Sequence, residues 1–187
     1  MEPTINNSKT QIMNNAVGLI KEKGYDKVSI VDICKASDIT RTTFYYYFQG
    51  KEDIIEDYFI EKMDTQESLF SKLITFDNDL DRYLALCDML LDAFMGEGPE
   101  FAGQLLHSIL NSNRILASYF IKDEWCVPLL TNSQKNGLIR NDLTPEELDQ
   151  LCVHQVIGLC LRWCSTKGEF DLRKAVHQNL QAILKYE

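Results

Sequence analysis

The stretch Ser29-Ile30-Val31-Asp32-Ile33-Cys34-Lys35-Ala36-Ser37-Asp38-Ile39-Thr40-Arg41-Thr42-Thr43-Phe44-Tyr45-Tyr46-Tyr47-Phe48-Gln49-Gly50-Lys51 decides how this chain is read. It holds two short helical patterns separated by the break Ser37-Asp38-Ile39. Ser29 with Asp32 three residues on resembles a capping box, with Asp in place of the usual Glu or Gln. A helix is therefore predicted over 30–36, with Ile30, Ile33 and Cys34 turned inward. Thr40 is the next N-cap, and a second helix is predicted over 41–48. Phe44 and Phe48 lie four residues apart and share a face. That forces Arg41, Thr42, Tyr45 and Tyr46 outward. Two short helices about a tight turn, the second carrying hydroxyls, an arginine and aromatic rings, have the layout of a helix-turn-helix that reads double-stranded DNA.

Each outward residue suits a part of that task. The Arg41 fork matches guanine O6 and N7, and Thr42 suits a base edge or a thymine methyl. Thr40 and Thr43 carry short hydroxyls fit for phosphate, although Thr40 also reads as a plain cap. Tyr45, Tyr46 and Tyr47 cannot all face one way, because successive residues stand about 100° apart around a helix. Tyr47 is expected to pack. Ser29 and Lys51 open helices, where the positive dipole end favours an anion. Read singly, Lys51 is a routine surface lysine.

Outward from this stretch the pattern stays helical. Ser8 can cap a helix over 9–23 whose apolar face is Ile12, Met13, Ala16, Val17, Leu19 and Ile20, with Gly24 at its C-terminal cap. A long helix is predicted from Lys51 to about Thr75, another from Asp79 towards Gly96, and another from Pro99 to about Asn111. The stripe of the second of these is Leu80, Leu84, Cys87, Leu91 and Phe94. Residues 114–137 read as helical with a break near Val127, because Pro128 follows. Thr144-Pro145-Glu146-Glu147 opens a further helix to about Lys167, and Asp171 caps the last one. The fold class is all-α, with about nine helices.

The helix after Thr144 is apolar on two faces, so it is buried on two faces. Either one face meets a second copy across a two-fold axis, or the helix is the central rod of a monomer. The interface candidates for a homodimer through the last two helices are Leu148, Leu151, Cys152, Leu159, Trp163, Val176, Leu180 and Ile183.

The net charge of −9 is unevenly spread. Residues 1–53 hold seven Lys and Arg against seven Asp and Glu, and the rest holds twelve against twenty-one. The acidic part must face away from phosphates. No apolar run approaches the roughly 18 residues of a membrane span, and the polar start Met1-Glu2-Pro3-Thr4 lacks a signal region. A cytoplasmic protein without membrane contact is expected. Its six cysteines then read as reduced thiols. Cys152, His154, Cys160 and Cys164 leave open an alternative, a regulator that senses cysteine oxidation or a metal, but no metal site or cofactor is expected. The three histidines, 107, 154 and 177, accompany no Gly-rich phosphate loop, nucleophile elbow or His-Glu-x-x-His. No catalytic set assembles, so an enzyme is not expected.

Gly24-Tyr25, Val28-Ser29-Ile30, Ile33, Ala36, Ile39-Thr40, Thr43-Phe44-Tyr45, Tyr47-Phe48 and Lys51-Glu52-Asp53-Ile54 together resemble the N-terminal DNA-binding domain of the TetR family of transcriptional regulators. The resemblance covers 9 to about 59. It implies phosphate contacts from Ser29, Thr43, Tyr45 and Lys51, and base approach by Ile30, Arg41, Thr42 and Tyr46. Ser37-Asp38 departs from the family's usual Ala-Gly; Asp tolerates the left-handed conformation, so the turn should survive with some strain. The resemblance further implies a helix-turn-helix domain over 1–53 and a helical effector-binding and dimerisation domain over 54–187. Most members are repressors released by a small molecule, and their last two helices pair into a four-helix bundle. Met63, Met89, Phe94, Phe101, Phe120 and Trp125 could line an effector pocket, with His107 and Arg114 as polar candidates. Core packing explains each of the apolar ones equally well.

Overall fold

In a computed structural model the described residues are 5–64, 73–111 and 123–186, and they form nine α-helices. These are α1 (Ile5–Lys23), α2 (Ile30–Ala36), α3 (Arg41–Tyr47), α4 (Lys51–Asp64), α5 (Asp79–Met95), α6 (Pro99–Asn111), α7 (Asp123–Lys135), α8 (Pro145–Ser165) and α9 (Leu172–Leu184), with one 3₁₀ turn at Tyr25–Lys27. Described residues up to Lys62, with those from Gln104 to the end of α6, make one compact unit. Those from Met63 to Gly103 and from α7 onward make the other. None of the described helices is long and apolar enough to cross a membrane.

Local signals set most of the helix ends. Ser29 and Thr144 each complete a capping box: the side-chain oxygen accepts from the backbone N–H three residues on, whose carboxylate accepts from the cap's own N–H. Thr40, Asn78 and Asp171 cap α3, α5 and α9 in the simpler way. Gly24 ends α1 at φ +86°, a conformation that suits only glycine, and the chain turns at once into Tyr25–Lys27.

In the first unit α1 lays Ile12, Met13, Ala16, Val17 and Ile20 against Ile33, Phe44 and Phe48, with Ile54, Ile55 and Phe59 of α4 also buried. Burying each large apolar side chain is worth about 1.5–3 kcal/mol, so this cluster is what holds four helices of very different length together. Ser108 of α6 donates a hydrogen bond to the buried Glu56 carboxylate. In the second unit α8 packs on α7 and α9, and α5 packs on α7. Its core joins Leu80, Tyr83, Leu91 and Phe94 to Leu130, Leu148, Cys152, Trp163, Leu172, Val176 and Leu180. The Asp88 carboxylate accepts from Arg173 at 2.5 Å and pairs with His177 at 2.8 Å, tying α5 to α9.

Three expectations are corrected here. Pro128 lies inside α7, which runs unbroken from Asp123 to Lys135. The proline is exposed, so the carbonyl left without its N–H partner has water within reach. On α5, Leu84 is only half-buried, while Tyr83 and Leu86 join the core. The first helix begins earlier than expected, at Ile5.

Candidate nucleic-acid interface

The helix-turn-helix is braced from beneath. Asn15 of α1 donates to the Ala36 carbonyl and to the Ser37 hydroxyl, both at 3.3 Å, where α2 ends. Asp38 then takes φ +52°, and the Ile39 N–H returns to the Cys34 carbonyl at 3.0 Å. The left-handed residue reverses the chain within a few residues. This is why α3 begins at Arg41 with Phe44 pointing back into the core at zero exposure.

With Phe44 and Phe48 buried, the opposite side of α3 faces solvent. Arg41 and Thr42 are exposed, Tyr45 is 55% exposed and Tyr46 is 72% exposed. Tyr47 is half-buried and stands edge-on to Tyr46, ring centres 4.9 Å apart. The Tyr45 ring meets the Phe44 edge at 5.5 Å. The two exposed rings therefore rest on rigid neighbours and expose large apolar faces that core burial would otherwise have taken.

The polar groups divide into two sets. In the first, the Ser29 hydroxyl donates to the Asp32 carboxylate at 2.5 Å while capping α2. That bond, first of all, holds the Asp32 carboxyl below its ordinary value and keeps a negative charge beside Ser29. The Thr40 and Thr43 hydroxyls bond each other at 2.9 Å. The Lys51 ammonium donates to the Tyr25 carbonyl at 2.7 Å and lies 4.0 Å from the centre of that ring. Lys9 pairs with Asp57 at 2.7 Å. In the second set, Arg41, Thr42, Tyr45 and Tyr46 are exposed to solvent. Ile30 is half-buried at the start of α2. The engagement of Lys51 was not visible in the sequence, because its partner lies 26 residues away.

The expected effector residues that are described fall in both units. Phe94 and Phe101 are buried in the second unit, Phe94 tilted against Trp163 at 6.1 Å, while Met89 is half-buried and Trp125 is 44% exposed. His107 is exposed and belongs to the first unit. Phe120 and Arg114 lie outside the described residues, as does the Met63 side chain. Of the eight expected interface residues, Leu148, Cys152, Leu159, Trp163, Val176 and Leu180 are buried within the chain's own core, Ile183 is half-buried, and Leu151 is exposed. The apolar residues that α8 leaves in solvent are Leu151, Ile157 and Leu161, at 46%, 48% and 57%. The other face of the two-faced helix is thus centred near Leu161. The thiols are quiet: burial pushes Cys152 and Cys164 up to about 11 and Cys160 up to about 12. His154 is exposed on α8. Among the described residues no three of His, Cys, Asp and Glu gather as metal ligands would.

Comparison with known proteins gives a consistent picture. Residues 12–58 match the family described as bacterial regulatory proteins, tetR family. The negative transcriptional regulator IcaR of the biofilm operon icaADBC from Staphylococcus epidermidis is 30% identical over 130 residues, which span 61% of this chain and 68% of that protein. Among solved structures, the TetR-family repressor FadR of Thermus thermophilus, in complex with lauroyl-CoA, superposes with a TM-score of 0.73 at 18% identity, covering 94% of this chain and 92% of its own. FadR of Bacillus subtilis, in complex with stearoyl-CoA, gives 0.67 at 20% identity over 94% and 97%. AibR, in complex with isovaleryl coenzyme A and operator DNA, gives 0.62 at 16% identity over 96% and 100%. These structural likenesses are likenesses of fold.

Proposed function

Since this chain belongs to the TetR family of bacterial regulatory proteins, we propose that it represses transcription from an operator that α3 reads, and that a small molecule releases it. The observation that carries this reading is the exposed face of α3, where Arg41, Thr42, Tyr45 and Tyr46 stand open above a buried Phe44 and Phe48. Arg41 reads a guanine, and Thr42 and Tyr46 offer apolar contact to a neighbouring base. Ile30 approaches the bases with them, while Ser29, Thr40, Thr43, Tyr45, Tyr47 and Lys51 set the position of the head on the backbone, partly through hydroxyls already shared within the chain. In this reading residues 1–53 bind DNA, and residues 54–187 bind the effector and dimerise.

Repression is supported by the negative regulator from Staphylococcus epidermidis. A small-molecule effector is supported by the acyl-coenzyme A thioesters held by three structures of the same fold. Dimerisation through α8 and α9 is supported by Leu151, Ile157 and Leu161, which one chain leaves in water. Sensing through cysteine oxidation is not favoured, because thiols raised by burial carry little of the reactive thiolate.

The test is DNA binding. The protein is expected to retard the DNA immediately upstream of its own gene more strongly than an unrelated duplex. Arg41→Ala should cost about 1–3 kcal/mol of discrimination at one base-pair position while leaving binding to unrelated DNA nearly unchanged. Equal losses on both duplexes, measured by titration at fixed salt, would remove Arg41 from the reading role.

A further inference from the structure

The turn after α1 and the first turn of α4 are joined by three contacts made by one residue. Gly24 at φ +86° delivers Tyr25 into the 3₁₀ turn. The Tyr25 carbonyl accepts from the Lys51 ammonium at 2.7 Å. The same ammonium lies 4.0 Å from the centre of the Tyr25 ring. The Tyr25 hydroxyl donates to Glu52 Oε1 at 2.7 Å. Lys51 and Glu52 are adjacent and opposite in charge, and both are half-buried. A phosphate approaching Lys51 would meet the Glu52 carboxylate as well, unless something holds that carboxylate aside. An ammonium has three donors, and one bond to a carbonyl leaves two for a phosphate.

We propose that Tyr25 is a positioning residue for DNA phosphate binding: its carbonyl and ring aim the Lys51 ammonium, and its hydroxyl draws the neighbouring Glu52 carboxylate away from the phosphate. The proposal rests on the reading of this face as a DNA interface. Its electrostatics agree with the geometry. Burial works to raise the Glu52 carboxyl, but the Tyr25 hydroxyl, with lesser help from a backbone N–H and the Lys51 charge, outweighs it and keeps the group ionised. Burial, and then the bond to Glu52, push the Tyr25 hydroxyl well above its ordinary value, so it remains a donor. Tyr25→Phe keeps the ring and the carbonyl. It deletes only the group that restrains the carboxylate.

Three variants, Tyr25→Phe, Glu52→Gln and the double Tyr25→Phe/Glu52→Gln, are titrated against the duplex from upstream of the gene and against an unrelated duplex of equal length. Tyr25→Phe is expected to weaken binding to both about fivefold, the scale of one like charge at contact distance in a watery interface. The preference for one duplex over the other stays the same. Glu52→Gln binds at least as tightly as the native protein. The double variant recovers native affinity, because a neutral amide no longer needs restraint. A loss of packing alone would lower the unfolding temperature of the double variant and leave its binding unrescued. Native affinity in Tyr25→Phe, weak binding in Glu52→Gln, or no recovery in the double variant overturns the proposal while the DNA-binding reading stands. If the native protein binds neither duplex, that reading falls and the proposal with it.

Discussion

Asp38 stands where the chain reverses between the two short helices, at φ +52°. An L-residue there brings Cβ close to the following carbonyl, at a cost of roughly 1–2 kcal/mol for an ordinary side chain and less for Asp. The carboxylate also lines the same shallow hollow as Arg41 and Lys35. Asp38→Gly should therefore raise the unfolding temperature, and Asp38→Ala should lower the stability by about 1 kcal/mol, both measured by thermal denaturation. The left-handed turn was legible in the sequence, because Ser37-Asp38-Ile39 interrupts two capped helices and Asp tolerates that conformation. The engagement of Lys51 was not. Its ammonium answers to a carbonyl 26 residues away in the chain, and no local spacing announces such a pair.

At the scale of the helix, caps explain what could be read and phases explain what could not. Ser29, Thr40, Thr144 and Asp171 act on backbone groups three residues away, so α2, α3, α8 and α9 begin where the sequence places them. Thr144→Ala removes a side-chain acceptor and half of a capping box. It should cost about 1 kcal/mol, read as a lower denaturation midpoint with an unchanged denaturant slope. The phase of an apolar stripe is harder. On α5 the sequence favours Leu84, yet Tyr83 is the residue at zero exposure, its hydroxyl 3.4 Å from Asp149 of α8. On α8 apolar residues surround the rod, so periodicity alone does not say which of them meets α7 and α9. Packing by those two helices takes Leu148, Cys152, Leu159 and Trp163, and leaves Leu151, Ile157 and Leu161 outside. Pro128 shows the reverse error: a residue that stops most helices is carried inside α7 on its exposed side.

For the molecule as a whole, the exposed part of α8 bears on assembly. Leu161→Glu places a charge on the apolar residue that is most exposed on that helix. In the dimeric reading it should shift the protein to the mass of a single chain, measured by sedimentation, and remove the dependence of the unfolding temperature on protein concentration. An unchanged mass would move the interface elsewhere. The division into two units was only partly legible, because one of them takes in Gln104 to the end of α6 after the chain has left it. A return of that kind depends on contacts far apart in sequence, such as Ser108 with Glu56, and leaves no local mark.

The charge balance of the head bears on how the protein lives among other DNA. Lys9 is paired with Asp57, in a segment whose charges already cancel, and Lys51 is aimed by Tyr25 with its charge kept for a phosphate. A bacterial chromosome sets about a million or more arbitrary sequences in competition with one operator. A head with little spare positive charge is detained by few of them. A small number of copies per cell can then keep a single operator occupied, and each copy that lets go is quickly free to find it again.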